Sequence, residues 1–156
     1  MPGVETPTVP DQIKAPPGAD LILVAHAEGA QIYICRADES GKLSWMLKGP
    51  EAQLFDRAGY GIGTHFAGPT WKHSDGSEIT AKAAAKADAP DAKAIPWLLL
   101  EVTGHGGEGI FSRVTSIQRI NTSGGLAPTP VAAELKPDQE FRSTYSADYY
   151  FYAPAK

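Results

Sequence analysis

The chain has 156 residues, enough for one compact domain that buries roughly 68–70% of the surface its unfolded form exposes, so no disulfide or metal is needed for it to fold. Its 14 Lys and Arg stand against 18 Asp and Glu, and the net charge of −4 argues against the clustered positive surface that nucleic-acid binding demands. No apolar run approaches the ~20 residues of a membrane-spanning helix, and 16 glycines with 13 prolines, well above the usual ~12% for the two together, mean many turns and short elements.

Residues 1–18 (MPGVETPTVPDQIKAPPG) hold five prolines and two glycines with almost no apolar periodicity, and are expected to form an extended or disordered arm. Residues 21–26 (LILVAH) and 31–36 (QIYICR) are short strand-like runs, the second alternating with period two, with Glu28-Gly29 expected as a tight turn between them. Residues 38–41 (DESG) form a further turn, and residues 42–47 (KLSWML) a third strand closed by Gly49-Pro50. The glycine-studded stretch 59–71 (GYGIGTHFAGPTW) suits one kinked or bulged strand. Asp75-Gly76 is a hairpin signal. Residues 78–86 (EITAKAAAK) could follow a helical propensity or a strand alternation; their position directly after the turn favours a strand, and alanines on its inner face would leave room for a large neighbour or a ligand.

Residues 87–96 read as a loop, 97–103 (WLLLEVT) as a near-continuously apolar strand, and 104–109 (GHGGEG) as a turn. Residues 110–120 are rich in β-branched side chains and read as a strand with a bulge, followed by the Gly- and Pro-containing connection 123–130. The aromatic strand 141–152 (FRSTYSADYYFY) closes the chain. On it Tyr145, Ala147, Tyr149 and Phe151 share one face and Ser146, Asp148, Tyr150 and Tyr152 the other, the pattern of a wall between a core and a second covered surface. Turn signals after each short strand predict an all-β fold: a single-domain antiparallel β-barrel or β-sandwich of about 8–10 short strands over residues 19–156, behind the arm 1–18.

Three constellations could carry chemistry. His65, His73 and His105 are candidate ligands for Cu or Zn, since imidazole suits borderline transition metals, although their spacing matches no known metal pattern. The aromatics Trp45, Trp71, Trp97, Tyr145, Tyr149 and Tyr150, with Asp75, Arg113, Arg119 and Asp148, could line a small-molecule or glycan cleft, where ring faces bury C–H surface and a few polar groups fix orientation. Cys35 and the serines Ser112, Ser116, Ser143 and Ser146 lie in no nucleophile-elbow pattern, the carboxylates form no recognisable acid–base pair, and the glycine clusters are not phosphate-binding fingerprints. The lone Cys35 has no internal disulfide partner and reads as a small buried hydrophobe. Met1-Pro2-Gly3-Val4 shows neither a basic n-region nor an apolar h-region, so the residues leave open a cytosolic chain or an exported one whose leader has been removed.

Residues 63–71 (GTHFAGPTW) with 75–77 (DGS), then 95–99 (IPWLL), then 117–125 (IQRINTSGG) and 145–152 (YSADYYFY) together resemble a bacterial and fungal family catalogued as a domain of unknown function, numbered 3455. The resemblance spans about residues 9–152. It implies a β-rich fold and a secreted or periplasmic protein, and carries no activity. Similar members often have a second cysteine where this chain reads 128–133 (PTPVAA), so a disulfide from the Cys35 position is implied for relatives and impossible here.

The leading expectation is therefore a secreted, non-enzymatic β domain that binds a small molecule or glycan without a cofactor, using His65, Trp71, Asp75, Trp97, Arg119, Tyr145 and Asp148. The second is a Cu- or Zn-dependent protein using His65, His73 and His105. The third is a subunit of an extracellular assembly that self-associates by docking the N-terminal arm on a neighbour's sheet edge. None of the three involves nucleic acid or a membrane span.

Overall fold

A computed structural model describes residues 6–128 and 135–155. Eight antiparallel strands, β1 (Ala19–Ala37), β2 (Leu43–Phe55), β3 (Gly61–Phe66), β4 (Thr70–His73), β5 (Glu78–Ala87), β6 (Trp97–Gly106), β7 (Ser116–Gly124) and β8 (Glu140–Pro154), follow one another around a closed barrel. Two short 3-10 turns, Asp11–Ile13 and Ile110–Arg113, are the only helical pieces among the described residues. Closure comes from β1, which pairs with β2 on one side and with β8 on the other, from Ala19↔Pro154 to Ile34↔Glu140. Closure pairs the first and last strands, so neither end of the strand order is left as a free edge. Not all strands are short, since β1 runs for 19 residues and β8 for 15.

Several local expectations shift for steric reasons. Glu28-Gly29 is not a turn: β1 passes straight through it, and Gly29 is required because a Cβ there would collide with the Glu51 carbonyl oxygen and the Ala52 backbone of β2. Gly49-Pro50 does not end β2; a bulge between Ile32 and Tyr33 of β1 absorbs Lys48, and pairing resumes to Phe55. The stretch 59–71 is the hairpin β3–β4, turning at Gly68 with φ of 127°. Aspartates lock the tight turns as expected of this side chain: Asp38 accepts from the Ser40 and Lys42 amides, Asp56 from those of Ala58 and Tyr60, and Asp75 from that of Ser77.

Alternation fills the interior with Ala25, Ala27, Leu54, Trp71, Ile79, Ala81, Leu100, Ile117 and the β8 face Tyr145, Ala147, Tyr149 and Phe151, all buried. The opposite face of the same wall is covered as well. The arm, expected to be extended or disordered, packs in its described part against the outside of the barrel, with Val9, Ile13, Ala87 and Ile120 forming a second cluster joined by Trp97 and Tyr150. Ile13 is fully buried, and its carbonyl accepts a 2.9 Å hydrogen bond from Gln118 Nε2, while Tyr152 donates to Gln118 Oε1 at 2.6 Å. Burial pushes the Tyr152 hydroxyl up to about 12. Residues 1–5 of the arm and 129–133 of the stretch compared with the relatives' second cysteine lie outside the described residues. Ile13→Ala is expected to lower unfolding stability by about 2–3 kcal/mol, the cost of a buried aliphatic truncation; a urea melt with an unchanged midpoint would show that the arm is not anchored.

Candidate functional site

An antiparallel meander places successive connections at alternate ends of a barrel, and the two ends here differ. At one, the β4–β5 turn and the link from β6 to β7 bring in the Ile110–Arg113 turn, which sets the fully buried Phe111 4.8 Å from the Phe151 ring and edge-on to His73. That end is plugged. Toward the other, the sheet is incomplete: β3 and β4 have six and four residues between the longer β2 and β5, so beyond Phe66 and Thr70 only the Gly68-Pro69 turn, among the described residues, bridges β2 to β5. A cavity of about 430 Å³ opens there, bounded by Leu47 and Pro50 of β2, Pro69, Ala81 and Ala83 of β5, and Leu98 and Leu100 of β6. The alanines supply its space, since any larger side chain on the inner face of β5 would fill it.

Its polar groups come from four strands: Gln31 of β1, His65 of β3, Trp71 of β4 and Arg119 of β7, with Tyr149 of β8 beside them. The His65 ring stacks on Trp71 at 4.2 Å with an 18° interplanar angle, and Tyr149 meets both rings edge-on. His65 donates from Nδ1 to the Thr70 carbonyl at 2.8 Å, which leaves Nε2 as the acceptor of a neutral imidazole. Burial first, and the Arg119 charge in addition, lower its pKa from 6.5 to about 3 against the opposing Thr70 bond. Arg119 is held by Nε and Nη2, both donating to the Pro96 carbonyl at 3.1 and 2.7 Å. Burial raises the Tyr145 and Tyr149 hydroxyls, which share a 3.2 Å hydrogen bond.

Two polar atoms of this wall are buried without any partner, Gln31 Oε1 and Trp71 Nε1. Gln31 is 3% exposed and Trp71 1%, and an unpaired buried acceptor and donor each cost about 1–3 kcal/mol. Two further orphaned atoms, Trp97 Nε1 and Ser116 Oγ, belong to residues that do not line the cavity. The residues lining the cavity thus carry an unpaired indole N–H and an unpaired amide oxygen held just within the wall, a neutral imidazole, a guanidinium, the Thr103 hydroxyl and the exposed Lys82, in a setting of mostly aliphatic walls.

Of the seven residues singled out in the sequence, His65, Trp71 and Arg119 line this cavity, and Tyr145 supports it through Tyr149. The other three lie elsewhere. Asp75 serves the plugged end, accepting from the Ser77 hydroxyl and amide and from the Ile110 amide, and these bonds hold its carboxyl down at about 2. Trp97 packs in the cluster beneath the arm. Asp148 sits on the outer face of β8, accepting from His26 Nδ1 at 2.8 Å and Asn121 Nδ2 at 2.9 Å, beside an outer groove that His26, Glu28, Arg57 and Tyr150 also line. The three histidines considered for a metal are each otherwise engaged: His65 with Thr70, His73 with the Asp75 amide and the Phe111 ring, and His105 donating from Nε2 to the Val114 carbonyl. Among the described residues no three His, Cys, Asp or Glu side chains come together as a metal site would require.

Gln31, Tyr149 and Ala83 were not among those seven. Gln31 follows Ala27 and Gly29 on the inward face of β1, a register hidden once Gly29 is taken for a turn. No curated protein and no solved structure matches the chain. The model of the family described as "Protein of unknown function (DUF3455)" matches residues 16–153, nearly the entire β-barrel, and the chain belongs to that family.

Proposed function

We propose that the barrel is a binding protein for a small organic molecule held in the cavity between β2, β5 and the β3–β4 turn. The observation that carries this reading is the pair of orphaned polar atoms, Gln31 Oε1 and Trp71 Nε1, buried in the wall of a cavity of about 430 Å³. A fold tolerates such unpaired groups where a ligand or ordered water completes them. The volume lies within the ~300–1,000 Å³ of small-molecule sites, and aliphatic walls with a few directed polar groups are the usual composition of such sites. An eight-stranded barrel interior is also wide enough to hold one small ligand. Export from the cytosol, implied by the family resemblance, belongs to the same reading.

A thermal-shift screen tests it. A ligand at 100 times its Kd adds roughly 2.7 kcal/mol, which at ~2–4 °C per kcal/mol for a domain of this size raises Tm by about 5–10 °C. The shift should vanish in Ala83→Trp, which fills the mouth at an exposed position. Flat melting curves across small aromatic and aliphatic metabolites and sugars, or an equal shift in Ala83→Trp, would overturn the proposal.

A further inference from the structure

Charge narrows the ligand class. The protein as a whole is acidic, with a net charge of −4, yet among the described residues the charged side chains that line the cavity are two cations, Arg119 inside and the exposed Lys82 at its edge. Lys82 has Glu101 opposite it on β6, outside the lining, so Arg119 dominates the interior field. Among the described residues Arg119 has no carboxylate within ion-pair distance. A half-buried guanidinium without a counter-ion is costly unless something neutralises it.

The geometry of that group matters as much as its charge. Two hydrogen bonds run from Nε and Nη2 to the Pro96 carbonyl and fix the plane of the fork; the Nη1/Nη2 edge makes no ion pair among the described residues, and the Tyr149 hydroxyl is its neutral neighbour. Such an edge grips a carboxylate with two parallel bonds. Nothing else in the lining adds positive charge at that depth, so the site suits a single negative charge better than a phosphate dianion. Beside Arg119 on β6 stand Leu98, its cross-strand partner, and Leu100, and with Pro69 they give the lining apolar surface that accepts hydrocarbon.

We propose that the cavity takes a small organic monocarboxylate, with the carboxylate on the Nη1/Nη2 edge of Arg119 and an apolar body against Leu98 and Leu100. A polar substituent on that body pairs with Trp71 Nε1 or Gln31 Oε1, the unpaired donor and acceptor just within the wall, after a small side-chain shift that exposes them. This inference rests on the cavity being a binding site, and it fails separately from that reading.

Calorimetric titration at pH 7 with matched carboxylate and carboxamide pairs distinguishes the two, using probes graded in size from benzoate and benzamide through cinnamate and cinnamamide to octanoate and octanamide. The expected result is at least one carboxylate that binds about tenfold or more tightly than its amide, the scale of one charge-assisted bidentate contact. In Arg119→Gln that ratio should collapse toward one while the amide's own affinity stays. Lys82→Gln, at an exposed position, should cost about two- to threefold for carboxylates alone and weaken their dependence on salt. Equal or tighter binding of the amides overturns the carboxylate assignment and leaves the cavity as a binding site. Failure of every pair overturns the carboxylate assignment, and if the thermal-shift screen is also flat, the binding reading falls with it.

Discussion

Acidification from pH 6.5 to pH 4 is expected to cost the native state about 3 kcal/mol through His65 alone. In the unfolded chain the imidazole takes up a proton as pH falls through its ordinary 6.5, whereas in the barrel its pKa lies at about 3. Between those values the unfolded state binds more protons than the native state, so stability falls with falling pH across that window and His65 makes no contribution to the slope above it. The cause is local and structural. A proton on Nε2 would place a second cation beside Arg119 at a residue only 3% exposed, with no carboxylate among the described residues that line the cavity. His65→Gln keeps a donor for the Thr70 carbonyl and removes the titration. Urea midpoints measured at pH 7, 5.5 and 4 should fall more steeply for the native chain than for the variant, by about 1.4 kcal/mol per pH unit. Asp75 is shifted in the same direction, downward, but in a lower window: its stabilisation is complete above its ordinary 3.8 and is lost toward about 2, so it barely enters the range from pH 6.5 to 4 and is common to both proteins. Parallel pH profiles would show that His65 is charged in the barrel or solvated.

That window also bears on binding. His65 is an uncharged imidazole at neutral pH, so a carboxylate ligand finds its charge partner in Arg119 and not in the imidazole. The division of labour between two adjacent basic side chains is set by the Thr70 carbonyl, which holds the His65 tautomer, and the Pro96 carbonyl, which orients the guanidinium.

The strand pattern of this fold is legible in the sequence where one face is apolar and turns are marked. The turns read at Asp38 and Asp75 occur where side chain to backbone bonds compete well with extended structure, and the turn at Asp56, which went unread, is built the same way. The β8 alternation reports two covered faces; the inner is covered by the barrel core, and the outer by the arm at Tyr150 and Tyr152 but not at Asp148. Closure was not legible, because barrel and sandwich differ in whether β1 finds β8, a pairing between residues more than a hundred positions apart that no local pattern encodes. Gly29 misled because glycine marks a turn and a close strand approach alike.

The site was partly legible for the same reasons. His65 and Trp71 are cross-strand neighbours on the inward face of a hairpin, and Ala81 and Ala83 mark vacant space opposite. Arg119 was harder to orient. In β7 the polar Gln118 faces outward yet is buried under the arm, while the charged Arg119 faces inward, so the usual rule that charge points to solvent reads the strand backwards. Asp75 and Trp97 drew notice as a polar group and an aromatic that need explaining, and the explanation lies in the plugged end and in the arm instead of the cavity.

Phe111→Ala is expected to lower stability by about 3–5 kcal/mol, a large share of the ~5–15 kcal/mol available to a domain. The side chain is fully buried between the Phe151 and His73 rings, and the short turn that carries it is fixed in three ways. Asp75 Oδ2 accepts from the Ile110 amide at 2.8 Å, Ser77 Oγ accepts from the Phe111 amide at 3.2 Å, and Ser112 Oγ accepts from the Gly109 amide at 2.9 Å. With the backbone tethered, the turn cannot sink to fill the space a missing ring leaves, so the void persists and water gains entry to the barrel from that end. Phe111→Leu keeps most of the volume and should cost below about 1.5 kcal/mol. Denaturant melts of the two variants give the stability difference, and a bound apolar fluorophore should brighten with Phe111→Ala as the end opens. Because the cavity lined by Arg119 and Trp71 lies toward the opposite end, Phe111→Leu should leave ligand affinity within about twofold of the parent, whereas Ala83→Trp should abolish binding with little loss of stability. A Phe111→Ala variant as stable as the parent would mean that the plug is not seated in solution; loss of affinity in Phe111→Leu would mean that the two ends of the barrel are coupled.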